Sequence, residues 1–211
     1  MIRWATALKW LALGFMAASF SASAQQQLTE GKHYVRLKTP QAVESGNKIE
    51  VLEFFSYGCI HCYHLEEFLG PWAKAAPADV SFKRIPVFQN EFAKIYFTLD
   101  ALGRDDLSIK VFKAIHDANA KLQSDKNFFD WAGNNGLDAT KVKELWNSFS
   151  VNSKVNRAKT VAQNYGIEAT PSVFVDGKYK LNYGQGMVEF KDTGAAINSL
   201  IAKARSERNK K

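Results

Sequence analysis

The chain has two cysteines, three apart, in the run Phe54-Phe55-Ser56-Tyr57-Gly58-Cys59-Ile60-His61-Cys62. Ahead of them, Ile49–Phe55 is nearly continuous in apolar character, as suits a central strand covered on both faces. Behind them, Leu65, Phe68 and Leu69 are spaced for one face of a helix. A strand that runs straight into a helix at a cysteine pair narrows both fold and chemistry. Cys59 falls at or near the helix N-cap. There, unpaired N–H groups and the positive end of the helix dipole favour a thiolate over a thiol. His61, between the sulfurs, adds positive charge or a hydrogen-bond donor. Cys62 lies one turn in and is the less exposed. Cys59 is therefore the expected attacking and attacked sulfur, and Cys62 the resolving one.

Other uses of the pair fit less well. Two cysteines build neither a disulfide-rich scaffold nor a four-thiolate zinc site. As a purely structural disulfide, so short a loop removes little entropy from the unfolded chain. A metal site of Cys59, His61, Cys62 and His64 would crowd its ligands into six residues, with no second cysteine pair to complete it. No metal is expected. Covalent haem requires histidine directly after the second cysteine, and Tyr63 stands there.

Along the 211 residues the order is strand, helix, strand, a helical block, then hairpin and helix. Tyr34–Leu37 alternates like an edge strand. The first helix meets Gly70-Pro71, where a kink or break is expected. Val80–Ile85 reads as the next strand. From there to Gly166 the periods are helical. One face carries Phe92, Ile95, Tyr96, Leu99 and Leu102, and another Leu107, Val111, Phe112 and Ile115. Ser124 or Asp125 caps a helix with Phe128, Phe129 and Trp131, and Asp138 caps one with Val142, Leu145, Trp146 and Phe149. Val151, Val155, Ala158, Ala162 and Tyr165 continue to the helix stop at Gly166. Ser172–Val175 and Lys178–Tyr183 flank a tight Asp176-Gly177 turn. A last helix carries Ile197, Leu200 and Ile201. The charged tail from Lys203 is expected to fray. The fold class is α/β, with an all-helical insertion whose two flanks must meet to complete one sheet.

Arg3 and Lys9, an apolar run over 11–20 and Ala22-Ser23-Ala24 form a secretory signal peptide, cleaved after Ala24. The run is too short for a comfortable membrane span, although an uncleaved anchor is the competing reading. Disulfides persist outside the cytosol. The net charge of +7 comes with no nucleic-acid-reading motif, and the basic tail reads as a solvated end.

Phe54–Tyr63 followed by Glu66-Glu67 resembles the active-site segment of the DsbA family of periplasmic thiol:disulfide oxidoreductases. Thr170-Pro171-Ser172-Val173-Phe174-Val175-Asp176-Gly177-Lys178-Tyr179 resembles that family's cis-proline segment and hairpin. The helical block fits its insertion in a thioredoxin fold. The resemblance covers essentially the whole chain after residue 24. It implies a thioredoxin-like domain in two parts, 25–87 and 166–211, around an insertion at 88–165. It implies that His61 stabilises the Cys59 thiolate, and that a cis Pro171 after Thr170 faces the cysteines and offers backbone to an extended peptide. Glu53 matches a buried acid that tunes the buried thiol, with Glu66 and Lys83 in the same charged neighbourhood. Ile60 departs from the family's usual proline and leaves the oxidising strength open.

The implied function is donation of the Cys59–Cys62 disulfide to secreted or periplasmic proteins with free thiols. The mixed disulfide forms at Cys59, and a membrane quinone-linked protein of the DsbB kind reoxidises the pair. No soluble cofactor is needed, and a monomer is the default. The alternatives are a reductase or isomerase on the same fold, a peptide-binding module with an incidental disulfide, and zinc or copper carriage. Tyr57 and Tyr63, read as exposed, are candidates for gripping unfolded chains. His64, His33 and His116 read as ordinary solvated or packed histidines.

Overall fold

A computed structural model describes residues 27–210; the signal peptide of the sequence reading lies outside them. The order is β1 (Tyr34–Arg36), β2 (Ile49–Phe55), α1 (Ile60–Lys74), β3 (Val80–Pro86), α2 (Asn90–Ala101), α3 (Ser108–His116), α4 (Asp125–Asn134), α5 (Ala139–Trp146), α6 (Phe149–Asn164), β4 (Ser172–Val175), β5 (Tyr179–Leu181) and α7 (Thr193–Arg208). One sheet runs β1-β5-β4-β2-β3. β2 and β3 are parallel, with α1 as the crossover. β4 is antiparallel to β2, with Glu53 opposite Val173, so the flanks of the helical block meet as the sequence requires.

Every residue of β2 is buried, Glu50 and Glu53 included, which explains its nearly continuous apolar character. On one face Val51, Val173 and Val175 pack with Leu65 and Leu69 of α1 and Ile197, Leu200 and Ile201 of α7. On the other, Leu52, Phe54 and Phe174 pack with Tyr165, Val161 and Ala162 at the end of α6. The helical block has its own core around Phe92, Leu99, Phe128 and Trp146. That core runs on into Phe55, Tyr57 and Cys62, so the insertion is packed directly against the dithiol segment.

Three local expectations change. α1 runs through Pro71 without a break. The proline sits in the last turn, where the one hydrogen bond it removes is near the helix end. Trp72 also anchors that turn, donating to Asn198 at 3.0 Å. The stretch from Val142 to Phe149 is two segments, because Ser148 caps Val151 N at 3.1 Å and starts α6. Phe149 is left 88% exposed rather than packed with Trp146. Among the described residues the charged tail is helical as far as Arg208, where α7 ends. Arg205 makes a forked pair with Asp79 at 2.7 Å, and Arg208 binds Asp176 and the carbonyl of Asn47. The hairpin matches its turn chemistry, with φ of +56° at Asp176 and +62° at Gly177.

Candidate active site

Cys59 is the N-cap of α1, at φ −94° and ψ 113°, and its sulfur accepts from Cys62 N at 3.4 Å. The approach to it is tight. Ser56 Oγ accepts from Gly58 N at 3.2 Å and donates to Gln89 Oε1 at 3.1 Å. A Cβ at Gly58 would stand 2.8 Å from the side chains of both Gln89 and Phe92, so any larger residue would have to displace them. Cys62 is fully buried, Cys59 is half-buried, and both are free thiols. Thr170-Pro171 comes from the other end of the chain. The peptide bond is cis, and the Thr170 carbonyl accepts from Cys59 Sγ at 3.3 Å.

This environment separates the two sulfurs. The Cys59 thiol is lowered from 9.0 to about 5. A hydrogen bond from the Cys62 thiol is the main cause, helped by the Thr170 side chain and the backbone N–H groups of Cys62 and His61, against the cost of burial. The Cys62 thiol is pushed far up, because it donates to Cys59 and is itself desolvated. His61 therefore reaches the thiolate through its backbone N–H. Its exposed ring lies edge-on to Phe190, 6.5 Å between centroids. Ile60 is 42% exposed.

Beneath Cys62, Glu53 is 2% exposed and its carboxyl is pushed up to about 7, mainly by burial and against the pull of Arg84. Arg84 Nε donates to Glu53 at 2.8 Å, and its other arm pairs with Glu66. Glu66 thus joins Glu53 as the resemblance implies, but Lys83 does not. Successive residues of β3 point to opposite faces, and Lys83 pairs with Glu50 on the far side at 2.9 Å. Arg84, opposite Glu53 in the parallel register, occupies the position.

Tyr57 is not an exposed grip. It is fully buried, with its hydroxyl 2.9 Å from Ser108 Oγ. Tyr63 is half-buried, and its hydroxyl donates to Asp117 at 2.8 Å. His116, read as ordinary, lies 2.8 Å from the Tyr57 carbonyl. Nothing in the sequence pairs residues 59 positions apart. The groove beside the cysteines also escapes the sequence: His61, Thr170, Pro171, Tyr183, Val188 and Phe190 line about 630 Å³. It draws on three separate segments. Among the described residues no three His, Cys, Asp or Glu side chains gather as metal ligands.

Residues 50–193 match the model of the DSBA-like thioredoxin domain family. The Thiol:disulfide interchange protein DsbA of Bordetella parapertussis is 35% identical over 204 residues, covering 95% of this chain and 98% of that protein. The protein of that name from Pseudomonas aeruginosa is 37% identical over 175 residues, covering 80% and 83%. The crystal structure of Pseudomonas aeruginosa DsbA superposes with a TM-score of 0.81 at 34% identity, covering 86% of this chain and 97% of that one. The Neisseria meningitidis oxidoreductase NmDsbA1 gives 0.76 at 29% identity, covering 86% and 96%. A cysteine pair at the start of α1, a cis-proline segment beside it, a helical insertion and these likenesses agree: the chain belongs to the DSBA-like thioredoxin family and is a thiol:disulfide oxidoreductase.

Proposed function

We propose that this oxidoreductase works as a disulfide donor. The observation that carries the reading is the split between a Cys59 thiol lowered to about 5 and a buried Cys62 thiol pushed up. A stabilised thiolate favours the reduced pair, so its disulfide is readily passed on. At pH 7 the lowered Cys59 adds up to about 60 mV of oxidising strength, before solvent screening trims it.

A substrate thiolate attacks Cys59 Sγ, the Cys59–Cys62 bond breaks, and Cys62 leaves and takes a proton. A second substrate thiolate attacks the substrate sulfur of the mixed disulfide and expels Cys59 as thiolate. Two electrons pass from the substrate dithiol to the pair. A leaving thiol of low pKa speeds the second step. Thr170 and Pro171 hold an extended substrate backbone along the groove. Exposed Ile60, Phe88 and Met187 provide apolar surface for an unfolded chain. Glu53 handles the proton of Cys62, His61 donates to the thiolate, and Ile60 tunes its potential. No cofactor takes part.

The setting that fits this chemistry is the periplasm, reached through removal of residues 1–24. A thioredoxin-like part at 25–87 and 166–211 flanks the insertion at 88–165, and the chain acts as a monomer. A quinone-linked membrane protein of the DsbB kind draws the electrons off. Cys59→Ser tests the mechanism. Oxidation of a reduced, unfolded substrate falls to background in that variant, and retained turnover would refute the role given to Cys59.

A further inference from the structure

Both ends of α3 rest on Tyr57, two residues before Cys59. At the helix start Ser108 Oγ meets the Tyr57 hydroxyl at 2.9 Å, in a fully buried contact. At the helix end His116 Nε2 lies 2.8 Å from the Tyr57 carbonyl oxygen. A carbonyl oxygen only accepts, so Nε2 carries the hydrogen of this bond. The same helix end holds Tyr63, which directly follows Cys62. The Tyr63 ring stacks on the His116 ring, with centroids 5.4 Å apart and planes 8° apart. Asp117 accepts the Tyr63 hydroxyl at 2.8 Å. The residues that bracket the cysteine pair are thus fixed by one helix of the insertion.

We propose that α3 clamps the dithiol loop, with His116 as a positioning residue for Cys59. The inference rests on Cys59 being the reactive thiol. Hydrogen bonds weaken steeply away from linearity. The N–H groups that face Cys59 Sγ are useful only while the N-cap keeps its geometry. Between Tyr57 and Cys59 the chain passes through Gly58, which has no Cβ to restrict it. Fixing the Tyr57 carbonyl fixes the peptide plane that enters this glycine. His116 is half-exposed at the end of its helix, so its replacement leaves the core of the insertion in place.

The test uses the full reduced chain, its His116→Phe variant, which keeps a stacking ring and loses the donor, and His116→Gln, which keeps a donor near Nε2 and loses the ring. Thiolate absorbance against pH and the equilibrium with glutathione are read for each. His116→Phe raises the Cys59 titration by about one unit and shifts the glutathione equilibrium about tenfold toward the disulfide, or about 30 mV. His116→Gln stays within about twofold of the parent in that equilibrium. A His116→Phe protein that only melts earlier, with titration and equilibrium unchanged, overturns the clamp and leaves a structural histidine. So does a His116→Gln protein shifted as far as His116→Phe. The parent's own titration decides the underlying reading separately: if alkylation at neutral pH finds Cys62 rather than Cys59 reactive, the assignment of Cys59 fails, and the clamp with it.

Discussion

Cys59 and Cys62 have the same side chain and opposite tendencies, and only Ile60 and His61 separate the two environments. The first sulfur caps a helix and collects hydrogen bonds, while the second is sealed in the insertion's core and gives one. Glu53 extends the argument below them. Its folded carboxyl titrates near 7 against an ordinary 4.5, so between those values the folded state holds the proton more tightly than the unfolded state. Stability from this group is therefore full below about pH 4.5 and is lost as pH rises toward 7, by up to about 1.4 kcal/mol per unit. Glu53→Gln removes that slope. Urea unfolding of the reduced proteins at pH 5, 6 and 7 should show the variant gaining on the parent with each step; a difference that stays flat would contradict a raised Glu53. At this scale the cysteines and Glu53 were legible, because their spacing and apolar neighbours mark them. The partner of Glu53 was not. Lys83 and Arg84 are adjacent in sequence, and only the register of β3 against β2 decides which one faces the carboxyl.

At the scale of elements, the hairpin joining β4 and β5 shows how local chemistry and distant contact combine. Asp176-Gly177 announces a tight turn, and both residues take positive φ. What the sequence does not announce is the segment lying against it. A Cβ on Gly177 would stand 2.2 Å from the carbonyl oxygen of Gln41. Gly177→Ala therefore combines a left-handed φ with a backbone clash, and it should cost at least about 2 kcal/mol. Chemical denaturation measures this directly, and a loss below about 0.5 kcal/mol would contradict the close approach. The capped helices α4 and α5 were readable from Ser124 and Asp138, whose side chains accept from Asn127 N and Lys141 N. The break before α6 was masked because Trp146 and Phe149 share a helical spacing, while the cap at Ser148 lies between them. The order in the tail was hidden for another reason. Arg205 and Arg208 find their acids at Asp79 and Asp176, more than 30 residues away in each case.

The whole molecule is a sheet assembled from two distant parts of the chain, with a helical block packed on the reactive end. The β2–β4 pairing brings Thr170 and Pro171 to the cysteines, and the insertion supplies Gln89, Phe92, Ser108 and His116 around the loop that carries them. The architecture followed from the order of strands and helices, while the groove did not, since its walls belong to segments that meet only on folding. For the assembled protein, the proposal of a disulfide donor requires that the fold stabilise the Cys59 thiolate enough to make the pair an oxidant despite Ile60. The measurement is the equilibrium of Cys59–Cys62 with glutathione buffers, read by alkylation of free thiols and mass. The expected potential lies well above the thioredoxin value of about −270 mV. A potential at or below that value would contradict the proposal and make the protein a reductant.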